Sequence, residues 1–295
     1  MRLTLSARSP FSLSAVVRSH GWVRLAPFGT DTRNATLTYV DQLESGRVVE
    51  MLVQEVAAGV SVEVNGRLSV AEQHEIARKA TWMLGLTQDF SAFYALAREE
   101  PKLAQVEKRA QGRLLSSPTL FEDTVKTMLT TNTSWAGTIR MVEALVTQFG
   151  APLGTDTTRR AFPTAEQLAP IDAGTLRSAA RLGYRAPYVV ELAHAVFSGE
   201  LNLESLKTTD MPTAELRNYL LTIKGVGAYA AANLLLILGR YDFVPVDSWA
   251  LKRVSYEWYN GEGVGRAEVE AAFERWAEWK GLVYWFWDWS HRSGE

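Results

Sequence analysis

Apolar and polar positions alternate in RLTLSA, GWVRLAPF, ATLTYVDQL, RVVEMLVQEV and VSVEVNG, five stretches separated by Gly, Asn, Asp and Ser turn signals. A period of two buries one face of a strand, so these stretches predict about five antiparallel strands. Ser69 then precedes VAEQHEIARKATWML, in which Val70, Ile76, Ala80 and Leu84 could share one helical face. Beyond residue 100 the spacing is helical. Helices are expected from Ser117-Pro118 through Leu129, from Ser134 to Phe149, briefly after a cap at Thr164, and from Tyr184 to Ser198. The intervening APLGTDTTRRAFPT reads as a solvated loop. The pattern therefore predicts a mainly α protein: an N-terminal α+β domain, antiparallel sheet plus helix, over 1–88, and a helical core over 89–295.

Composition narrows the class. At 295 residues, 47% of them hydrophobic, the chain has apolar material for two or three compact units. Its longest apolar run, Ala228 to Leu238, is interrupted by Asn233 and falls short of the ~20 residues of a membrane span, so no membrane partner is expected. The lack of cysteine excludes disulfides, thiolate zinc sites and cysteine-ligated iron–sulfur clusters, and fits a reducing compartment. His20, His74, His194 and His291 are scattered without ligand-like spacing, which argues against a transition-metal site. A formal charge of −2 argues against a generic polyanion binder, so any phosphate-facing surface must be a local patch. Arg2, Arg8, Arg18 and Arg24 precede the first acid, Asp31, as in organellar transit peptides, but the alternation of RLTLS and WVRLAPF favours a folded start. From Arg275, RWAEWKGLVYWFWDW holds five of the ten tryptophans and predicts a closing helix pair that drives aromatic surface into the core.

Candidate chemistry lies in LLTIKGVGAYAAANLLLILGRYDFVPVDSWALKRV, Leu220 to Val254. An apolar helical pattern breaks at Gly225-Val226-Gly227, resumes, and stops at Val-Pro-Val before Asp247. Gly225-x-Gly227-x-x-Ala230 followed by an acid formally satisfies a dinucleotide-binding fingerprint. That fingerprint needs a strand before the glycines. Here Leu216, Leu220 and Ile223 follow Pro212 at helical spacing, and only 48 residues remain after Asp247. The competing reading is a helix-hairpin-helix at about 212–239. Two glycines allow a tight turn and bare the first amides of the second helix, whose N–H groups and dipole can grip a phosphate without a large basic surface.

In these residues the chain resembles the DNA glycosylase superfamily that joins a helix-hairpin-helix to a Gly/Pro-rich loop and an essential Asp (HhH-GPD). TIKGVGAYAAANLLL is similar to the hairpin and its second helix, and YDFVPVDSWALKRV to the loop, the Asp and the next helix. LTTNTSWAGTIRMVEAL and LGYRAPYVVELA resemble two segments that flank DNA in the 8-oxoguanine branch. FPTAEQLAPIDAGTLR is similar to both that branch and the 3-methyladenine glycosylase II branch. The motifs span roughly residues 110 to 290.

The resemblance implies base excision repair of double-stranded DNA containing a damaged base, by a monomeric hydrolase. It makes Asp247 the catalytic carboxylate, with an N-cap as its alternative role. Bifunctional members carry a lysine two residues after the hairpin glycines; here Tyr229 stands there, and a phenol cannot form an imine. A monofunctional enzyme without AP lyase activity is implied, with Lys224 as a less favoured amine. Lys224, Gly225, Val226 and Gly227 would contact DNA, Asn132 would fill the gap left by a flipped nucleotide, Tyr184 would wedge beside the opposite base, and Arg185 would read it. Gly137 replaces an arginine of the 8-oxoguanine branch. Trp135, Tyr229 and Trp249 are candidate walls of the base pocket. No cofactor is required by this reading, although backbone carbonyls of Leu221, Ile223 and Val226 fall where the family can hold a monovalent cation. Damaged, alkylated purines are the preferred substrate; 8-oxoguanine excision and a non-catalytic lesion-binding protein are the alternatives. Localisation would be cytoplasmic in a prokaryote, nuclear or organellar in a eukaryote.

Overall fold

The computed structural model describes residues 1–31 and 36–290. The strands are β1 (Arg2–Ser6), β2 (Phe28–Asp31), β3 (Thr36–Gln42), β4 (Val48–Val56) and β5 (Gly59–Val64), with a short helix α1 (Leu13–Val17) after β1. Helices α2 (Val70–Met83), α3 (Ser91–Arg98), α4 (Leu120–Thr130) and α5 (Trp135–Phe149) follow, then a hairpin of β6 (Pro152–Leu153) and β7 (Asp156–Arg160). The remainder is helical: α6 (Ala165–Leu168), α7 (Ala173–Ala179), α8 (Ala186–Phe197), α9 (Thr213–Thr222), α10 (Ala228–Ile237), α11 (Ser248–Trp258), α12 (Arg266–Phe273) and α13 (Lys280–Phe286).

Contacts divide the chain into two units, and not at a single boundary. The first unit comprises 1–88 and 113–209, the second 89–112 and 210–295. The expected boundary near residue 88 is thus one of three crossings, because the middle helices pack with the N-terminal sheet.

In the first unit the sheet runs β1-β5-β4-β3-β2, antiparallel throughout. Val49, Met51 and Val53 of β4 and Val60, Val62 and Val64 of β5 are buried, as the alternation requires. Ser69 starts α2 with a full capping box to Glu72, and Ile76, Ala80, Met83 and Leu84 form its buried side. Val70 is 67% exposed, which removes it from that face; it is the first helical residue and points away from the sheet-facing stripe. GWVRLAPF is not a continuous strand: Gly21–Arg24 is a 3-10 turn closed by Leu25 N–H to the Trp22 carbonyl, and β2 begins only at Phe28. The Trp22 indole is drawn inward to donate to Asp123 Oδ1 at 2.7 Å, which alternation alone could not reveal. The cap of α4 is Thr119, two residues beyond Ser117. The expected loop at 151–164 contains the β6–β7 hairpin, whose Arg159 is ion-paired with Glu50 of β4.

Helix α4 is buried from Leu120 to Leu129, so its charges must be satisfied internally. Lys126 Nζ sits 2.6 Å from Glu122 Oε1 and over the Phe28 ring, while Tyr39 donates to Glu122 Oε2 at 2.5 Å. Asp123 accepts from Trp22 and from Ser117 N–H. Burial pushes the Asp123 carboxyl up to about 6 despite those hydrogen bonds, and does the same to Asp41 despite its 2.7 Å ion pair with Lys79. Burial lowers His20 to about 4; its Nε2 lies 2.6 Å from the Leu115 carbonyl.

The second unit is an aromatic-rich helical cluster. Phe93, Phe273, Trp276, Leu282, Tyr284 and Trp287 are buried together with Val244 and Val246. The predicted closing pair is present as a 3-10 stretch, Glu274–Trp279, leading into α13, with Ala277 at φ 45° making the kink. No described helix is long and apolar enough to cross a membrane.

Candidate active site

Helix lies on both sides of the glycines, which rules out the strand a dinucleotide fingerprint needs. Pro212 occupies the cap of α9, and Leu216, Leu220 and Ile223 are buried as their spacing predicted. Ile223 N–H reaches back to Leu220, Val226 N–H to Ile223, and Gly225 takes φ 88°, a left-handed conformation that favours glycine. The chain then enters α10 at Gly227, which is exposed, has no side chain to cap the helix, and has open space where a Cβ would be. The first N–H groups of α10 therefore lie behind an unobstructed surface. Lys224 is exposed beside the turn.

The Val244-Pro245-Val246 segment is buried and delivers Asp247 to the start of α11. Asp247 Oδ1 accepts from Ala250 N–H at 2.8 Å, so the residue is the helix cap. Its other oxygen takes no hydrogen bond among the described residues, and the side chain is only partly buried. One carboxylate thus has a fixed orientation and a free face.

Around it stand aromatic groups. Gly281 donates to the Tyr241 carbonyl at 2.6 Å, and a Cβ there would lie 2.6 Å from the Phe243 carbonyl, so α13 is docked backbone to backbone on the loop before Asp247. One turn on, Tyr284 meets Trp249 edge to face, with ring centroids 6.2 Å apart. Burial first, then the negative charge of Asp247, then Tyr229, push the Tyr284 phenol far above its ordinary value. Asp247 and Tyr229 therefore flank the same phenol. Trp249 is 44% exposed, with Trp289 at 5.5 Å and the Arg253 guanidinium over its face at 5.2 Å. Asn233 donates to the Tyr229 carbonyl at 2.9 Å. Sequence reasoning named Tyr229 and Trp249 but missed Tyr284 and Arg253. The available signal was Gly281 inside a helical, tryptophan-rich run.

The remaining candidates belong to the first unit. Asn132 is exposed at φ 47° and donates from Nδ2 to the Tyr184 hydroxyl at 3.1 Å. Tyr184 is 49% exposed. Arg185 is not a surface charge: it is buried, donates to the Thr131 carbonyl, and stacks under the Tyr184 ring at 4.5 Å. It braces the Thr131-Asn132 turn and the exposed tyrosine together. Trp135 packs against the backbone of Gly21, whose Cβ would lie 2.3 Å from its ring. A side chain at Gly137 would meet Thr133 Oγ1 at 2.4 Å. Among the described residues no group of three or more His, Asp or Glu could hold a metal ion; His291 lies outside them.

Comparisons with known proteins bear on the family and the fold. The model for the HhH-GPD superfamily base excision DNA repair proteins matches residues 125–278, more than half of the chain. A DNA-3-methyladenine glycosylase of Bacillus subtilis (strain 168) is 25% identical over 183 residues, 61% of this chain and 60% of that protein's length. Two solved structures share the fold. A 3-methyladenine DNA-glycosylase from Archaeoglobus fulgidus has a TM-score of 0.75 at 22% identity and covers 97% of each chain. A Clostridium acetobutylicum 8-oxoguanine glycosylase/lyase, bound to double-stranded DNA with cytosine opposite 8-oxoguanine, gives 0.73 at 19% identity, covering 95% of this chain and 91% of its own. By the extent of the family match, and by the hairpin and Asp247 that the match encloses, the chain belongs to the HhH-GPD superfamily of base excision DNA repair proteins.

Proposed function

We propose that the protein is a monofunctional DNA glycosylase that hydrolyses the C1′–N bond of damaged, preferentially alkylated, purines in double-stranded DNA. The observation that carries this reading is Asp247: anchored by one oxygen at the start of α11, open at the other, and grouped with Tyr229, Trp249 and Tyr284 directly after the hairpin. As the C1′–N bond breaks, its electron pair leaves with the base and positive charge develops on the sugar. A fixed carboxylate stabilises that charge and accepts a proton from the water that adds to C1′. Exposed indole surface on Trp249 suits an electron-poor alkylated base.

The hairpin supports DNA contact through the amides behind Gly225-Val226-Gly227, with Lys224 beside them. Asn132 and Tyr184 are the exposed groups of the first unit suited to filling the gap left by a flipped nucleotide, and Arg185 acts by holding them. Gly137 and Tyr229 favour alkylpurine over 8-oxoguanine as substrate. At the turn, the Ile223 carbonyl accepts from Val226 N–H and retains a second lone pair; with the carbonyls of Leu221 and Val226 it would supply hard oxygen donors to a monovalent cation. Such a cation would add positive charge beside a bound phosphate.

The test is base release from duplexes containing 7-methylguanine, 3-methyladenine, 8-oxoguanine or hypoxanthine, with borohydride present in a parallel series. Release of alkylated purine without a trapped protein–DNA adduct is expected. An adduct would contradict the monofunctional reading, and no release from any duplex would contradict the enzyme.

A further inference from the structure

Tyr284 has no part in the hydrolytic scheme above, yet it stands against Trp249 and within reach of the Asp247 charge. Its ring is buried, its hydroxyl takes no hydrogen bond among the described residues, and that hydroxyl is not sealed from solvent. The Gly281 backbone contact fixes the start of α13, and the edge contact with Trp249 fixes the ring itself. An aromatic residue needed only for packing would be served by phenylalanine, as at Phe273, whose ring centroid is 5.5 Å away. A phenol held by the rings of Trp249, Phe273 and Trp289, close enough to Asp247 to feel its charge, is a hydrogen-bond donor with nothing yet to donate to.

We propose that Tyr284 donates a hydrogen bond to the departing base, and that this equips the site to release neutral damaged purines as well as cationic alkylpurines. The inference rests on the glycosylase reading. An N7-alkylated guanine carries its positive charge before the reaction; when the C1′–N9 bond breaks, the electron pair neutralises it and no donor is needed. Hypoxanthine departs as an anion, and a hydrogen bond accepted by a ring nitrogen or the carbonyl stabilises that charge as N9 takes the pair. Water supplies the oxygen that joins C1′, Asp247 takes its proton, and the base is finally protonated from solvent. Tyr284 holds its own proton throughout: Asp247 and Tyr229, the ionisable groups acting on it, oppose loss of the phenolic proton. Its role is therefore a hydrogen bond to developing charge rather than full proton transfer.

Single-turnover base release by the full-length protein and by Tyr284→Phe on hypoxanthine and 7-methylguanine duplexes tests this. The wild type should release both bases. The variant should lose about 10²-fold on hypoxanthine, the usual effect of deleting one donor to transition-state charge, and several-fold less than that on 7-methylguanine, with its thermal melting reporting an intact fold. Equal losses on both duplexes would assign Tyr284 a packing role and overturn the proposal. So would an unchanged hypoxanthine rate, or a wild type that releases 7-methylguanine but not hypoxanthine. A wild type that releases neither base overturns the glycosylase reading itself.

Discussion

Two helices of this protein begin with carboxylates that do opposite things. At the start of α4, Glu122 and Asp123 are sealed in the first unit, and each is spoken for: Lys126 and Tyr39 hold one, Trp22 and Ser117 the other. At the start of α11, Asp247 spends one oxygen on Ala250 and leaves the other without a hydrogen bond among the described residues, in a group with Trp249 and Tyr284. A perturbed carboxyl is often a pointer to an active site. Here the upward shifts to about 6 fall on Asp123 and Asp41, whose carboxylates are already held by Trp22 and Ser117 and by Lys79. What separates a candidate catalytic acid from a structural one in this chain is the oxygen left without a hydrogen bond directly after the hairpin, not the size of the shift.

Breaking the α4 network should produce the largest change in stability. Lys126→Met leaves Glu122 without its cation at a fully buried position, and the variant should lose about 3–5 kcal/mol in urea unfolding. An ion pair that contributes only to packing would leave the midpoint near that of the wild type. Asp123→Asn probes the same network through pH. The native carboxyl titrates at about 6 against an ordinary value of 3.8, so its protonated form stabilises the fold fully below 3.8 and this contribution is lost as pH rises through 6. The asparagine variant, which still accepts from Trp22, should flatten the fall in stability between pH 4 and 6.5 by about 1–3 kcal/mol. His20 opposes that trend, since its lowered value gives stability above 6.5 that is lost as pH falls through 4, and it should remain visible in the variant's curve. Gly227→Ala sharpens the other side. With φ at −89° and open space around the added methyl, the fold should hold within about 0.5 kcal/mol, while affinity for an abasic-analogue duplex drops about tenfold because the methyl stands where a phosphate would approach the α10 amides. Filter binding against thermal melting separates the two effects.

The sequence told some of this and hid the rest for physical reasons. Ser69, Ser134 and Thr164 were legible as caps because capping is settled within four residues, and strands β3, β4 and β5 because their alternation is dictated by one buried face. Trp22 broke the alternation rule because its indole answers to Asp123, a hundred residues away. The β6–β7 hairpin was read as a loop because it is polar and short, stabilised in part by the Arg159–Glu50 pair rather than by an apolar face. Division of the chain into interleaved units depends on contacts between 113–209 and the N-terminal sheet, which leave no local mark. In the candidate site, Asp247 and the hairpin stood out as a spaced motif. Tyr284 did not, since an aromatic in a tryptophan-rich helix looks like core until Gly281 is seen to dock that helix on the loop before Asp247.

Asp247→Asn is the most direct test, because asparagine caps a helix as well as aspartate does. The variant should melt within about 0.5 kcal/mol of the wild type and bind an abasic-analogue duplex equally well, yet release 7-methylguanine at least about 10³-fold more slowly in a single turnover. A variant that keeps the wild-type rate, or one whose rate falls only in step with its stability, would make Asp247 no more than the cap of α11 and contradict the account.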